Sequence, residues 1–86
     1  MPEISRFFGI VIQMYFDDHG LPHFHAWYGR TSARVRLDPV VVMQSQLPPR
    51  ALRLVLEWAT LHEPELLECW RRIRLGEAAL RIDPLE

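Results

Sequence analysis

From Ile4 to Phe16 apolar residues recur at every second position. Phe8, Ile10, Ile12, Met14 and Phe16 share one face, and Arg6, Gln13 and Tyr15 share the other, with Phe7 and Val11 as apolar exceptions. A period of two is the signature of a strand with one buried face, and it predicts a single strand across this stretch. The run Asp17-Asp18-His19-Gly20-Leu21-Pro22 breaks the alternation with turn residues. Alternation resumes from His23 to Tyr28. Gly29-Arg30-Thr31-Ser32 reads as a hairpin connection to a return strand from Ala33 to Leu37. Asp38-Pro39 turns the chain again, and Val40 to Gln44 is a further strand. Apolar matching sets the expected hairpin register, with Tyr28 opposite Ala33, Ala26 opposite Val35 and Phe24 opposite Leu37. On the other face Trp27 then meets Arg34, His25 meets Arg36 and His23 meets Asp38.

After residue 47 the period changes. Pro48 and Pro49 suit a first helical turn, and Ala51, Leu54, Val55, Trp58, Leu61 and His62 recur at helical spacing. Arg50, Arg53, Glu57 and Thr60 form the wet side. Pro64 starts a second helix whose apolar stripe is Leu66, Cys69, Trp70 and Ile73, and Gly76 stops it. The tail from Ala78 to Pro84 offers a short edge strand through Leu80 and Ile82. The expectation is one α+β domain over residues 1–86, with strands over 1–46, two helices over 47–76 and a tail or edge strand over 77–86. Its architecture is a small antiparallel meander of three to four strands packed against a C-terminal helical hairpin.

Composition narrows the classes without choosing a chemistry. The 86 residues are 49% hydrophobic and 24% charged, with ten basic and eleven acidic side chains, the balance of a soluble globular domain. Val40 to Met43 is the longest apolar run, against the roughly 20 residues of a membrane span, and the opening Met1-Pro2-Glu3 has no secretory pattern. The lone cysteine, Cys69, fits a reducing compartment and predicts a cytoplasmic protein. Every basic residue is arginine, whose planar fork suits phosphate and carboxylate better than lysine does. Wide apolar helix faces over one sheet also predict a homodimer.

Candidate chemistry gathers at the centre of the sheet. Three of the four histidines fall within Asp17-Asp18-His19-Gly20-Leu21-Pro22-His23-Phe24-His25, and His23 and His25, two apart in a strand, point to one face. With Asp18 they form a candidate catalytic set for metal-independent RNA cleavage, one imidazole as base and another as acid. Arg34 and Arg36 on the same face would stabilise phosphate charge, and Tyr15 or Trp27 would stack a base. The alternative is a divalent transition-metal site, zinc for example, in which His19, His23 and His25 are ligands. The bland reading is that these histidines occupy an exposed face or bond loop carbonyls. Trp58, Trp70 and Cys69 read as core, His62 as a helix-end residue, and the helical arginines as a solvated face or a basic edge. Nothing supports a nucleotide-binding loop or a serine triad.

Met1 to Gly9, Met14-Tyr15-Phe16-Asp17-Asp18-His19 and Pro22-His23-Phe24-His25 resemble the short bacterial proteins called Domain of Unknown Function 4160. The stretch Arg50 to Ala59, with Leu61-His62, Glu65-Leu66-Leu67 and Trp70, is similar to that family's second half. Its genes often sit beside those of Domain of Unknown Function 2442, in an arrangement resembling a toxin–antitoxin pair. The resemblance implies a small protein partner encoded nearby and a toxin role. The expectation is thus a toxin acting on RNA through the histidine–arginine sheet face. Against it stands a non-catalytic module that docks a partner through its helices or an open strand edge, with structural or metal-holding histidines.

Overall fold

The computed structural model describes residues 2–16 and 20–86. Five strands come first: β1 (Glu3–Phe7), β2 (Ile10–Gln13), β3 (His23–Tyr28), β4 (Thr31–Arg36) and β5 (Val41–Ser45). Two helices follow, α1 (Pro49–Leu61) and α2 (Glu63–Arg74). The strands lie side by side in chain order, each antiparallel to the next. The architecture is the expected α+β meander with a helical hairpin, with five strands in place of three or four.

The additional strand comes from a turn inside the first alternating run. Phe7 pairs with Ile10, and Phe8-Gly9 forms a two-residue connection with φ of +49° and +81°, the paired positive values of a type I′ hairpin. Phe8, expected in the core, therefore sits at the tip and is 59% exposed. Phe7 takes the buried place. A register shift between Glu3 and Ser5 explains why Ile4 and Ser5 are both buried, because a bulge breaks the alternation. Phe16, also expected in the core, lies past the end of β2 and is exposed.

The central hairpin is tighter than its sequence suggests. Gly29-Arg30 alone makes the turn, Gly29 has φ +60°, and the Thr31 hydroxyl donates to the Tyr28 carbonyl at 2.7 Å. Tyr28 consequently pairs with Thr31, Ala26 with Ala33 and Phe24 with Val35. The expected pairing is displaced by two residues. An even displacement keeps every side chain on its face, so the in–out pattern stands while the partners change. His25 faces Arg34, His23 faces Arg36 and Trp27 faces Ser32. Asp38 lies beyond β4, where its backbone N–H donates to Glu63 Oε2 at 3.1 Å.

One sheet face and the helices enclose the core. Ile10, Ile12, Met14, Phe24, Ala26, Ala33 and Val35 meet Ala51, Val55, Trp58 and Ala59 of α1 and Leu66, Cys69, Trp70 and Ile73 of α2. Trp58 is fully buried, with its ring 5.3 Å from Phe7 and 5.8 Å from Phe24. Leu61, expected on this stripe, is 64% exposed, because at 3.6 residues per turn it falls roughly 100° from the centre of the buried face. α2 ends as predicted at Gly76 (φ +79°), where Glu77 N–H donates to the Arg72 carbonyl and Gly76 N–H to the Ile73 carbonyl. Those two bonds are the Schellman pattern.

The segment after α2 is a tail and not a strand, yet it is fastened. Ile82 N–H donates to the Ile4 carbonyl at 2.8 Å, and the Trp58 indole donates to the Asp83 carbonyl at 2.8 Å. The tail so covers the outer edge of β1. Among the described residues no helix is long and apolar enough to cross a membrane.

Candidate nucleic-acid interface

Because the helices take one face of the sheet, alternation sends the remaining side chains to the other. Two rows cross this open face in the observed register: Arg6, Val11, Trp27 and Ser32, then Gln13, His25, Arg34 and Gln44. A third pairs His23 with Arg36 and Val41. The register therefore joins aromatic and cationic groups from three strands, β1, β3 and β4.

The aromatic groups hold one another in place. Trp27 Nε1 donates to the Tyr15 hydroxyl at 3.1 Å, and that hydroxyl donates to Gln13 Oε1 at 2.9 Å. The Tyr15 and His25 rings lie 4.3 Å apart, and those of His25 and His23 5.4 Å apart. Trp27 remains 37% exposed, while Trp58 and Trp70 are buried. Beside Trp27 and Tyr15 lies an open concavity of about 350 Å³ that also takes in Arg6, Val11 and Glu3.

Among the described residues the charged groups of this face are mainly arginines. Arg34 is exposed and Arg36 half-buried, and Arg36 Nε is buried with no hydrogen-bond partner among the described residues. The one carboxylate placed in these rows or lining the concavity, among the described residues, is Glu3. Arg6 grips it through two nitrogens at 2.7 and 3.3 Å, and Arg81 approaches to 3.1 Å. Their hydrogen bonds, Arg6's foremost, pull the Glu3 carboxyl down to about 2, so it is ionised and neutralised at any ordinary pH.

The sequence-predicted residues divide clearly. Tyr15, His25, Trp27, Arg34 and Arg36 come together on the open face. His23 shares their side of the strand, but the residue is only 6% exposed, its ring lies 5.2 Å from that of Trp70, and its Nδ1 lies 2.9 Å from the Leu21 carbonyl. Since a carbonyl only accepts, that contact places a proton on Nδ1. Asp18 and His19 lie outside the described residues. Among those described, no three His, Cys, Asp or Glu side chains gather as metal ligands, so the metal alternative rests on His19. His62 Nδ1 meets Glu65 Oε1 at 2.6 Å, a link at the junction of the two helices. Arg71 and Arg72 pair with Glu68, and Arg74 stacks over Trp70, so these three arginines serve α2 itself. The Trp27–Tyr15–Gln13 chain was not visible from spacing, although the parity of Gln13 and Tyr15 is its trace in the sequence.

A one-sided antiparallel sheet, backed by a helical hairpin and bearing an aromatic–arginine face, defines this chain as a small α+β domain. Residues 9–71 match the family described as Domain of unknown function (DUF4160), and the chain belongs to that family. The matched span includes Tyr15, Trp27, His25, Arg34 and Arg36. No curated protein and no solved structure matches the chain.

Proposed function

We propose that this protein binds single-stranded RNA across the open face of its sheet. Splayed bases stack on Trp27 and on the Tyr15–His25 pair, and Arg34 and Arg36 take the backbone phosphates. The observation that carries the reading is the aromatic line from Trp27 through Tyr15 to His25, set beside two arginines on a face whose one carboxylate among the described residues, Glu3, is already neutralised. Unpaired bases offer π-faces that a duplex hides, so exposed aromatics on a sheet select single strands. Arg36 is half-buried on the same face, and its guanidinium is a fork-shaped donor suited to a phosphate oxygen.

Binding explains the arrangement better than two-histidine cleavage. His23 is packed on Trp70 and tied to Leu21, which suits a group that orients its neighbours more than one that exchanges protons with a substrate. In the toxin role that the family resemblance implies, sequestering RNA is then the harmful act, and the neighbouring gene's product relieves it.

The test is fluorescence anisotropy with a labelled single-stranded 10-mer RNA and its duplex. Single-strand binding is expected to be the stronger. Trp27→Ala weakens it about tenfold or more, and affinity falls roughly sevenfold between 50 and 200 mM salt if two phosphates are neutralised. Growth arrest on induced expression, lost in the Trp27→Ala, Arg34→Ala double variant, is the matching cellular outcome. Absence of binding by folded protein at 50 mM salt refutes the reading, and so does binding indifferent to Trp27 and Arg34.

A further inference from the structure

At the opposite side of the sheet from the aromatic–arginine face, the two layers part. The β1–β2 turn, the end of β3 and the first turn of α1 leave a cleft of about 220 Å³. Its floor is core, made of Ile10 and Ala51, both buried, and its walls are Phe8, Tyr28 and Leu54. Phe8 and Tyr28 are both large and both substantially exposed. At the mouth stands Arg50, the one charged lining residue, and it makes no ion pair among the described residues.

Two further observations separate this cleft from accidental roughness. Phe8 holds φ +49°, a left-handed conformation that bulky side chains rarely adopt and that Asn or Gly would adopt without strain. Strain kept at one position points to a use for the side chain it presents. Beside it, a Cβ on Gly9 would lie 3.3 Å from Tyr28 Cε1, so glycine lets the turn draw close to the Tyr28 ring.

We infer that this cleft receives one aromatic side chain of a protein partner, with a neighbouring carboxylate of the same partner on Arg50. Size selects the occupant: small-molecule sites run from about 300 to 1,000 Å³, whereas a cavity of about 150 Å³ already takes a benzene ring. Charge selects its neighbour, because among the described residues the sole ion at the mouth is cationic and the first turn of α1 has no acidic residue to compete for it. The partner segment is therefore acidic and aromatic. The cleft is formed by residues other than those of the RNA face, and the two readings stand or fall separately.

The probes are three capped dipeptides, acetyl-Phe-Glu-amide, acetyl-Phe-Gln-amide and acetyl-Ala-Glu-amide, titrated into isotope-labelled protein and followed by amide chemical shifts. Phe-Glu is expected to shift Phe8, Ile10, Tyr28 and Ala51 with millimolar affinity. Phe-Gln binds about two- to fivefold more weakly, the range of an exposed ion pair, and Ala-Glu does not bind. Arg50→Gln, at an exposed position, abolishes the difference between Glu and Gln peptides and keeps the need for Phe. Equal binding of Phe-Glu and Phe-Gln to the unaltered protein overturns the proposal, as do shifts confined to other residues or no shifts at all. Shifts at the cleft without any RNA binding uphold it while the RNA reading fails.

Discussion

Phe8 shows what a single residue can decide. In the strand alternation it belongs to the core; two residues of positive φ place it at a hairpin tip instead. Type I′ turns prefer Asn-Gly, and the second half of that pair, Gly9, is already present. Phe8→Asn is therefore expected to stabilise the fold by up to about 1 kcal/mol, the lower end of the left-handed penalty for an ordinary side chain. It is also expected to empty one wall of the cleft. Chemical denaturation checks the first outcome and the dipeptide titration the second. A gain in stability with loss of peptide binding is the trade expected of a strained functional residue.

Among the elements, the C-terminal tail holds more than its lack of regular structure suggests. It bonds β1 through Ile82, takes the Trp58 indole on Asp83, and passes its Leu80 carbonyl 3.8 Å from the Cys69 sulfur. Burial pushes the Cys69 thiol above its usual value, so the folded chain shields a thiol that is also poorly ionised. Arg81→Ala removes the link from the tail to Glu3. It is expected to speed alkylation of Cys69 severalfold under native conditions, with a small change in melting temperature. Unchanged labelling would mean that the thiol is reached only through global unfolding.

At the scale of the whole molecule, Glu3 joins the two ends of the chain, because Arg6 and Arg81 converge on its carboxylate. Its folded value, about 2 against an ordinary 4.5, lies below the unfolded one. The stabilisation is therefore fully present above pH 4.5 and is lost as pH falls toward 2. Glu3→Gln should be less stable than the parent at pH 7 and equal to it near pH 2, with a flatter stability curve between. Parallel curves from thermal melts across that range would assign the acid sensitivity to other carboxylates, Glu68 first, since Arg71 lowers it similarly.

The division between sequence and structure follows from the range of the forces involved. Local periodicity determined the α+β class, the two helices, the buried stripe Leu66-Cys69-Trp70-Ile73 and the shared face of Trp27, His25 and Arg34, because the in–out sense of a strand depends on parity alone. The same parity could not fix the partners. A displacement of two residues leaves every face unchanged, and only the closed Gly29-Arg30 turn brought His25 opposite Arg34. Parity also failed where a turn was hidden inside an alternating run, at Phe8-Gly9, and where a bulge let Ile4 and Ser5 both point inward. The packing of His23 on Trp70, the Arg6 and Arg81 grip on Glu3, and the cleft between Tyr28 and Leu54 join residues distant in the chain. Contacts of that kind are set by how layers meet in space, and no local pattern encodes them.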